Sequence, residues 1–141
     1  MNAIDHATLT KDQLIELISI QEELQRRDLR DAAKESFMAY VNHVYDGFIV
    51  GRHHEIIAEK LERIVSGDLT RLIVNMPPRH SKSEFASYLM PSWFLGQDPK
   101  LKIIQATMNT ELATRFGRKV RDLIADPKYG EIFPETDLKQ D

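Results

Sequence analysis

The chain has 141 residues, 42% hydrophobic and 29% charged with a formal net charge of -3, the balance of one globular domain with a modest core. It has no cysteine, which excludes disulfides, thiolate zinc sites and cysteine nucleophiles and fits a reducing compartment. The opening "MNAIDHATLTKDQLIELI" lacks a basic stretch followed by an apolar one, and no later run approaches membrane-spanning length, so a soluble protein of the cytoplasm is expected.

Thr10 and Gln13 have capping-box spacing, and Leu14, Leu17, Ile18 and Leu24 recur at helical intervals, which predicts a first helix over about 11–29. A second amphipathic segment, "DAAKESFMAYVNHVY", ends before Gly47. The third, "HHEIIAEKLERIVSG", puts Ile57, Leu61, Ile64 and Val65 on one side of a helix over about 53–66, with Gly67 where a C-terminal glycine belongs. Then the period changes. "RLIVNM", residues 71–76, is short, continuous and β-branched, the pattern of a strand buried on both faces of a parallel sheet.

The loop "MPPRHSKS" follows, and "SKSEFASYL" predicts a helix starting at 81 or 82, with Pro91 kinking or restarting it before "SWFLGQD". After the Asp98-Pro99 turn, "LKIIQAT" reads as a second buried strand. Asn109 or Thr110 can cap the helix "ELATRFGRKVRDLIAD", whose apolar side carries Leu112, Phe116, Val120 and Leu123, and Asp126-Pro127 ends it. The expected fold class is α/β: N-terminal helices over 1–47, then over 48–141 the start of a βαβα layer with an incomplete parallel sheet. Two short strands with unpaired edges invite mispairing.

A strand that runs into a short loop and then a helix gathers backbone N–H groups and the positive helix end around an anion. Lys82 would add a cation for phosphate and Ser83 a hydroxyl for Mg²⁺. The regular phosphate-loop pattern has glycine where this chain has Met76 and Ser81, and glycine serves there for positive φ, at a cost of ~1 kcal/mol or more for other residues. Two readings stand at this point: a phosphate loop, or a Pro-Pro turn leading into a helix that begins with Lys and Ser.

The runs "GRHHEIIAEKLERIVSGDLTRLIVNMPPRHSKSE" and "LATRFGRKVRDLIADPKYGEIFPET" resemble the N-terminal ATPase region of tailed-phage terminase large subunits, the motors that package DNA into procapsids. The resemblance covers about positions 48 to 136. Members of that family commonly carry Pro-Pro-Arg-His-Gly-Lys-Ser-Glu after a strand, an atypical Walker A loop of the P-loop NTPase class, and this chain departs from it only at Ser81.

The resemblance implies ATP and Mg²⁺ as cofactors. Lys82 would contact the β- and γ-phosphates, Ser83 would ligate Mg²⁺, and the N–H groups of Arg79, His80, Ser81, Lys82 and Ser83 would cradle the phosphates. Arg79 would place its guanidinium near the γ-phosphate, or would be a surface arginine paired with Glu84 or DNA. His53 and His54 stand where the family's adenine-side motif precedes a helix, and a histidine there is also an ordinary cap. His80 reads as a group that holds loop shape. Arg115, Arg118, Lys119 and Arg121 read as a solvated face diluted by Glu111 and Asp122, and Phe85, Trp93 and Phe94 as core.

The family's acidic strand, coupling motif and nuclease domain have no counterpart after Thr107, so the sequence is expected to be an N-terminal fragment that binds ATP without turning it over. Implied partners are double-stranded DNA through the full motor, the terminase small subunit and portal, with homo-oligomers only in the intact motor and no membrane. The alternative is a short interaction protein that binds terminase or portal partners without nucleotide chemistry.

Overall fold

The computed structural model describes residues 10–136 and 138. Among them all regular structure is helical: α1 Lys11–Glu35, α2 Phe37–Val44, α3 Arg52–Val65, α4 Lys82–Glu84, a π-helical turn Phe85–Leu89, α5 Met90–Gln97, α6 Thr110–Ile124 and α7 Pro127–Ile132. None of these helices is long and apolar enough to cross a membrane.

Local chemistry sets the helix ends. Thr10 and Gln13 close a full capping box on α1, and Ser36 both stops α1 and caps α2 through the Ala39 N–H. The Glu62 carboxylate, from α3, accepts the Phe37 N–H at 2.7 Å, so α3 neutralises the positive end of α2. Gly47 and Gly67 leave their helices at φ of 72° and 83°, the left-handed geometry that glycine adopts without penalty. Asn109 caps α6 through the Leu112 N–H, and Asp126 caps α7 with Pro127 in its first turn.

Helical backbone continues without a break from α4 through the π turn into α5, the residues at the joins all being right-handed helical. Pro91 accounts for the wide turn: it has no N–H to donate, and its ring crowds the carbonyl one turn back. Gly96 lets α5 press on Phe133, whose ring lies 2.4 Å from where a Cβ would stand.

An aromatic cluster forms the core. Phe37 lies 5.4 Å from Phe85 and 5.5 Å from Trp93, ring to ring, while Tyr40 meets Tyr129 edge to face at 6.3 Å. The polar groups of Tyr40, Ser92, Trp93 and Tyr129 inside it are hydrogen-bonded. The Ser92 hydroxyl donates to the Leu89 carbonyl at 2.8 Å, so it accepts the Tyr40 hydroxyl at 2.7 Å; Tyr129 donates to the Ser92 carbonyl at 2.9 Å. Burial pushes the Tyr40 hydroxyl's pKa up, keeping it protonated as that geometry requires. Trp93 Nε1 donates to the Ala33 carbonyl at 3.0 Å, satisfying one of the last acceptors of α1. Ala33, Phe37, Tyr40 and Val41 thus share one core with Phe85, Leu89, Trp93 and Tyr129.

The expected α/β layer is overturned. No strand, and so no parallel sheet, occurs among the described residues. Residues 71–76 have no regular structure and pair with nothing in a ladder; Leu72, Val74 and Met76 are half-buried while Ile73 is 86% exposed. Residues 101–107 are also irregular, with Ile104 94% exposed. A strand exists only through the hydrogen bonds of a neighbour, and the two runs do not supply them to each other. Their apolar patterns specify extended backbone and leave the partner unspecified.

Candidate functional site

The segment between residues 71–76 and α4 is a loop with two non-glycine residues in the left-handed region, Arg79 at φ 63° and Ser81 at φ 58°. Such conformations cost on the order of 1–2 kcal/mol each and concentrate at functional sites. Alternation of left- and right-handed residues makes a concavity of backbone N–H groups that suits anions. Ser81 also occupies the N-cap of α4, where its side chain makes no capping hydrogen bond. The first helical N–H groups, at Lys82 and Ser83, are therefore left for another acceptor. Both side chains are exposed at the start of the helix.

His80 braces the loop, its Nδ1 donating to the Pro78 carbonyl at 2.9 Å. Glu84 faces α6, 4.0 Å from Lys119 Nζ, so the carboxylate next to Ser83 is engaged away from Arg79. Lys119 itself sits over the Tyr88 ring at 4.8 Å.

Ser81→Gly is expected to stabilise the protein. Removing the left-handed strain gains ~1–2 kcal/mol, and the freer unfolded chain takes back ~0.5–1 kcal/mol. The net should appear as a higher urea midpoint at unchanged slope. A lower midpoint would mean the serine side chain holds the loop.

Behind the loop stands His54. Its ring is buried, 5.2 Å from Phe85, 4.8 Å from Phe48 and 3.8 Å from His53. The Gly51 N–H donates to its Nδ1 at 3.0 Å, which places the neutral ring's proton on Nε2. His53 is exposed and reaches toward His80, ring to ring at 5.6 Å. Burial lowers the His54 pKa below the usual histidine value, the nearby His53 and His80 lower it further, and the His80 backbone opposes them.

The sign of the resulting linkage follows. The folded state favours neutral His54, so its contribution is complete above the unfolded value of about 6.5 and is lost as pH falls below that value through the depressed folded one. Thermal midpoints should therefore drop between pH 7 and 5, and less so in His54→Gln. Parallel pH profiles for the two proteins would contradict this assignment.

Sequence reasoning placed His53 and His54 together, at an adenine-side motif or a helix cap, and carried only the exposed His53 forward as a site residue. The usable signal was the spacing Gly51 to His54, a helix cap followed three residues later by a side chain that reaches back.

Beside the loop lies an open cleft of about 320 Å³, between α3 and residues 72–76. His53, Ile56, Ile57 and Lys60 line one wall, and residues 72–76 the other. Its apolar character and size suit a planar ring, and His53 joins it to the loop. The cleft depends on residues 72–76 lying beside α3, which spacing within either segment does not encode.

Arg115, Arg118 and Lys119 border a second open cleft on α6, with Glu111 and Asp122 among them. Arg115 leans over Phe116 at 5.6 Å and Arg121 pairs with Asp122 at 3.2 Å. Charges of both signs make this a mixed surface. No cluster of histidine and carboxylate groups suited to a metal occurs among the described residues; a magnesium ion held by Ser83 would draw its other ligands from phosphate and water.

No family model, no curated protein and no solved structure matches this chain.

Proposed function

We propose that this chain binds ATP with magnesium through the loop at residues 79–83, as the ATPase region of a tailed-phage DNA-packaging terminase would, with the loop seated on a helical scaffold. The observation that carries the reading is Ser81 at φ 58°, left-handed at the one position where the resembled motif has glycine. Loop geometry and motif resemblance both draw attention to that residue.

In this reading the N–H groups of Lys82 and Ser83 and the Lys82 ammonium take the β- and γ-phosphates. Ser83 Oγ is a ligand for magnesium, which screens phosphate charge. Arg79 contributes a second cation at the outer phosphate. The adenine ring enters the cleft between Ile56, Ile57 and residues 72–76, with His53 at its mouth next to the phosphates. Glu84, turned to Lys119, is not placed to orient a water, so binding without turnover is the expected behaviour.

The test is isothermal titration of the folded chain with magnesium ATP, ADP and inorganic triphosphate. Saturable one-to-one binding of ATP is expected, with triphosphate weaker because it leaves the cleft empty. A flat titration up to millimolar ATP, with helical circular dichroism intact, would remove this reading.

A further inference from the structure

Helix α1 is 25 residues long, yet Ala33 near its end is its one buried residue. Over residues 11–29 every side chain is exposed except the half-buried Leu14 and Leu17. Most helical stability in proteins comes from packing an amphipathic face, yet this helix displays Ile15, Ile18, Ile20, Leu24 and Leu29 at 50–58% exposure. Ile15, Ile18 and Leu29 lie on the side of the helix that carries Ala33, whereas Ile20 and Leu24 lie with Leu17 on the other side; scattered surface apolar residues need no explanation, but a row at helix-pairing intervals does.

Gln13, Leu17, Ile20, Leu24 and Arg27 follow each other at intervals of 4, 3, 4 and 3, the seam spacing of paired helices. At 100° per residue this seam lies opposite Ala33, so the side of α1 that meets the core leaves it open.

Charge along the helix indicates the occupant. Residues 11–23 carry Lys11 against Asp12, Glu16, Glu22 and Glu23, whereas residues 24–30 carry Arg26, Arg27 and Arg30 against Asp28. The free part of α1 is thus acidic in its first half and basic in its second. Arg27 leans toward Asp31 at 3.9 Å but remains 66% exposed, open to a partner. Two copies in parallel would oppose like halves; two copies in antiparallel arrangement would set acid against base at both ends.

We propose that two copies of this chain associate through α1, antiparallel, with Leu17, Ile20 and Leu24 in the seam. Glu16 of each copy then faces the Arg27 end of the other.

The experiment is sedimentation equilibrium on the full chain at about 50 µM and low salt, where exposed charge pairs are least screened. Twice the chain mass is expected, falling to the single mass in Ile20→Asp/Leu24→Asp, whose circular dichroism should still be that of a folded protein. Because the chain has no cysteine, orientation can be read with introduced ones. Glu16→Cys mixed with Arg27→Cys should give the mixed disulfide in excess, whereas a parallel pair would join Glu16→Cys to itself. A single-mass wild type, or a dimer insensitive to the double aspartate, overturns the proposal. Predominant self-joining of Glu16→Cys overturns its antiparallel form, and a wild-type single mass that rises only with an added acidic or basic peptide assigns the face to a different partner.

Discussion

Lys82→Ala should weaken magnesium ATP binding roughly 10- to 150-fold, the ~1.5–3 kcal/mol of a charge-assisted phosphate contact. The side chain is exposed at the start of α4, so its removal leaves no cavity and should not move the unfolding midpoint. Arg115→Ala is the matched control: it deletes another exposed cation, on α6, and should leave affinity nearly unchanged. The contrast separates a contact to phosphate from general attraction by surface charge. Equal affinities for wild type and Lys82→Ala would exclude a phosphate role for the loop lysine.

Phe37→Ala should cost ~3–5 kcal/mol of stability. Phe37 is fully buried against Tyr40, Phe85 and Trp93, so truncation removes ring contacts from three elements and opens a void that helices anchored elsewhere cannot close. Against a total of ~5–15 kcal/mol for a typical domain, such a loss leaves a protein near its unfolding threshold at 25 °C. Ile104→Ala, at a side chain 94% exposed, should stay within ~0.5 kcal/mol. Urea melts followed by far-ultraviolet circular dichroism decide it; similar midpoints for the two variants would show that the aromatic cluster does not carry the fold.

Much of the helical framework is legible in the chain. Thr10, Asn109, Gly47 and Gly67 mark helix ends because capping is a local matter of a few backbone groups. The starts of α3 near Arg52 and α4 at Lys82 follow from the change in hydrophobic period. Other boundaries needed tertiary knowledge. Helix α1 continues to Glu35, well beyond the charged run that suggested its end, since Trp93 and Gln97 bind the Ala33 and Lys34 carbonyls. Asp126-Pro127 reads as a stop and also starts α7, whose Tyr129 and Ile132 complete the core.

The sheet is where the reading fails, and the reason is specific. "RLIVN" and "LKIIQ" carry the composition of buried strands, but composition cannot name the chain that would lie alongside. In the loop, Lys82 and Ser83 are recognisable from the motif, while the service of His54 as a pillar comes from its enclosure by Phe48 and Phe85.

Trp93 gives the molecule a built-in spectroscopic reporter. It is the only tryptophan, 3% exposed, with its indole N–H bonded to Ala33 across the joint between α1 and α5. Its emission should be blue-shifted in the folded protein and move to the red when that joint opens. Because the indole bridges residues 60 apart in sequence, it reports assembly of the whole core rather than the fraying of any one helix. A stopped-flow trace of this one fluorophore, compared with helical ellipticity, would tell whether helices form before they dock or only as they dock.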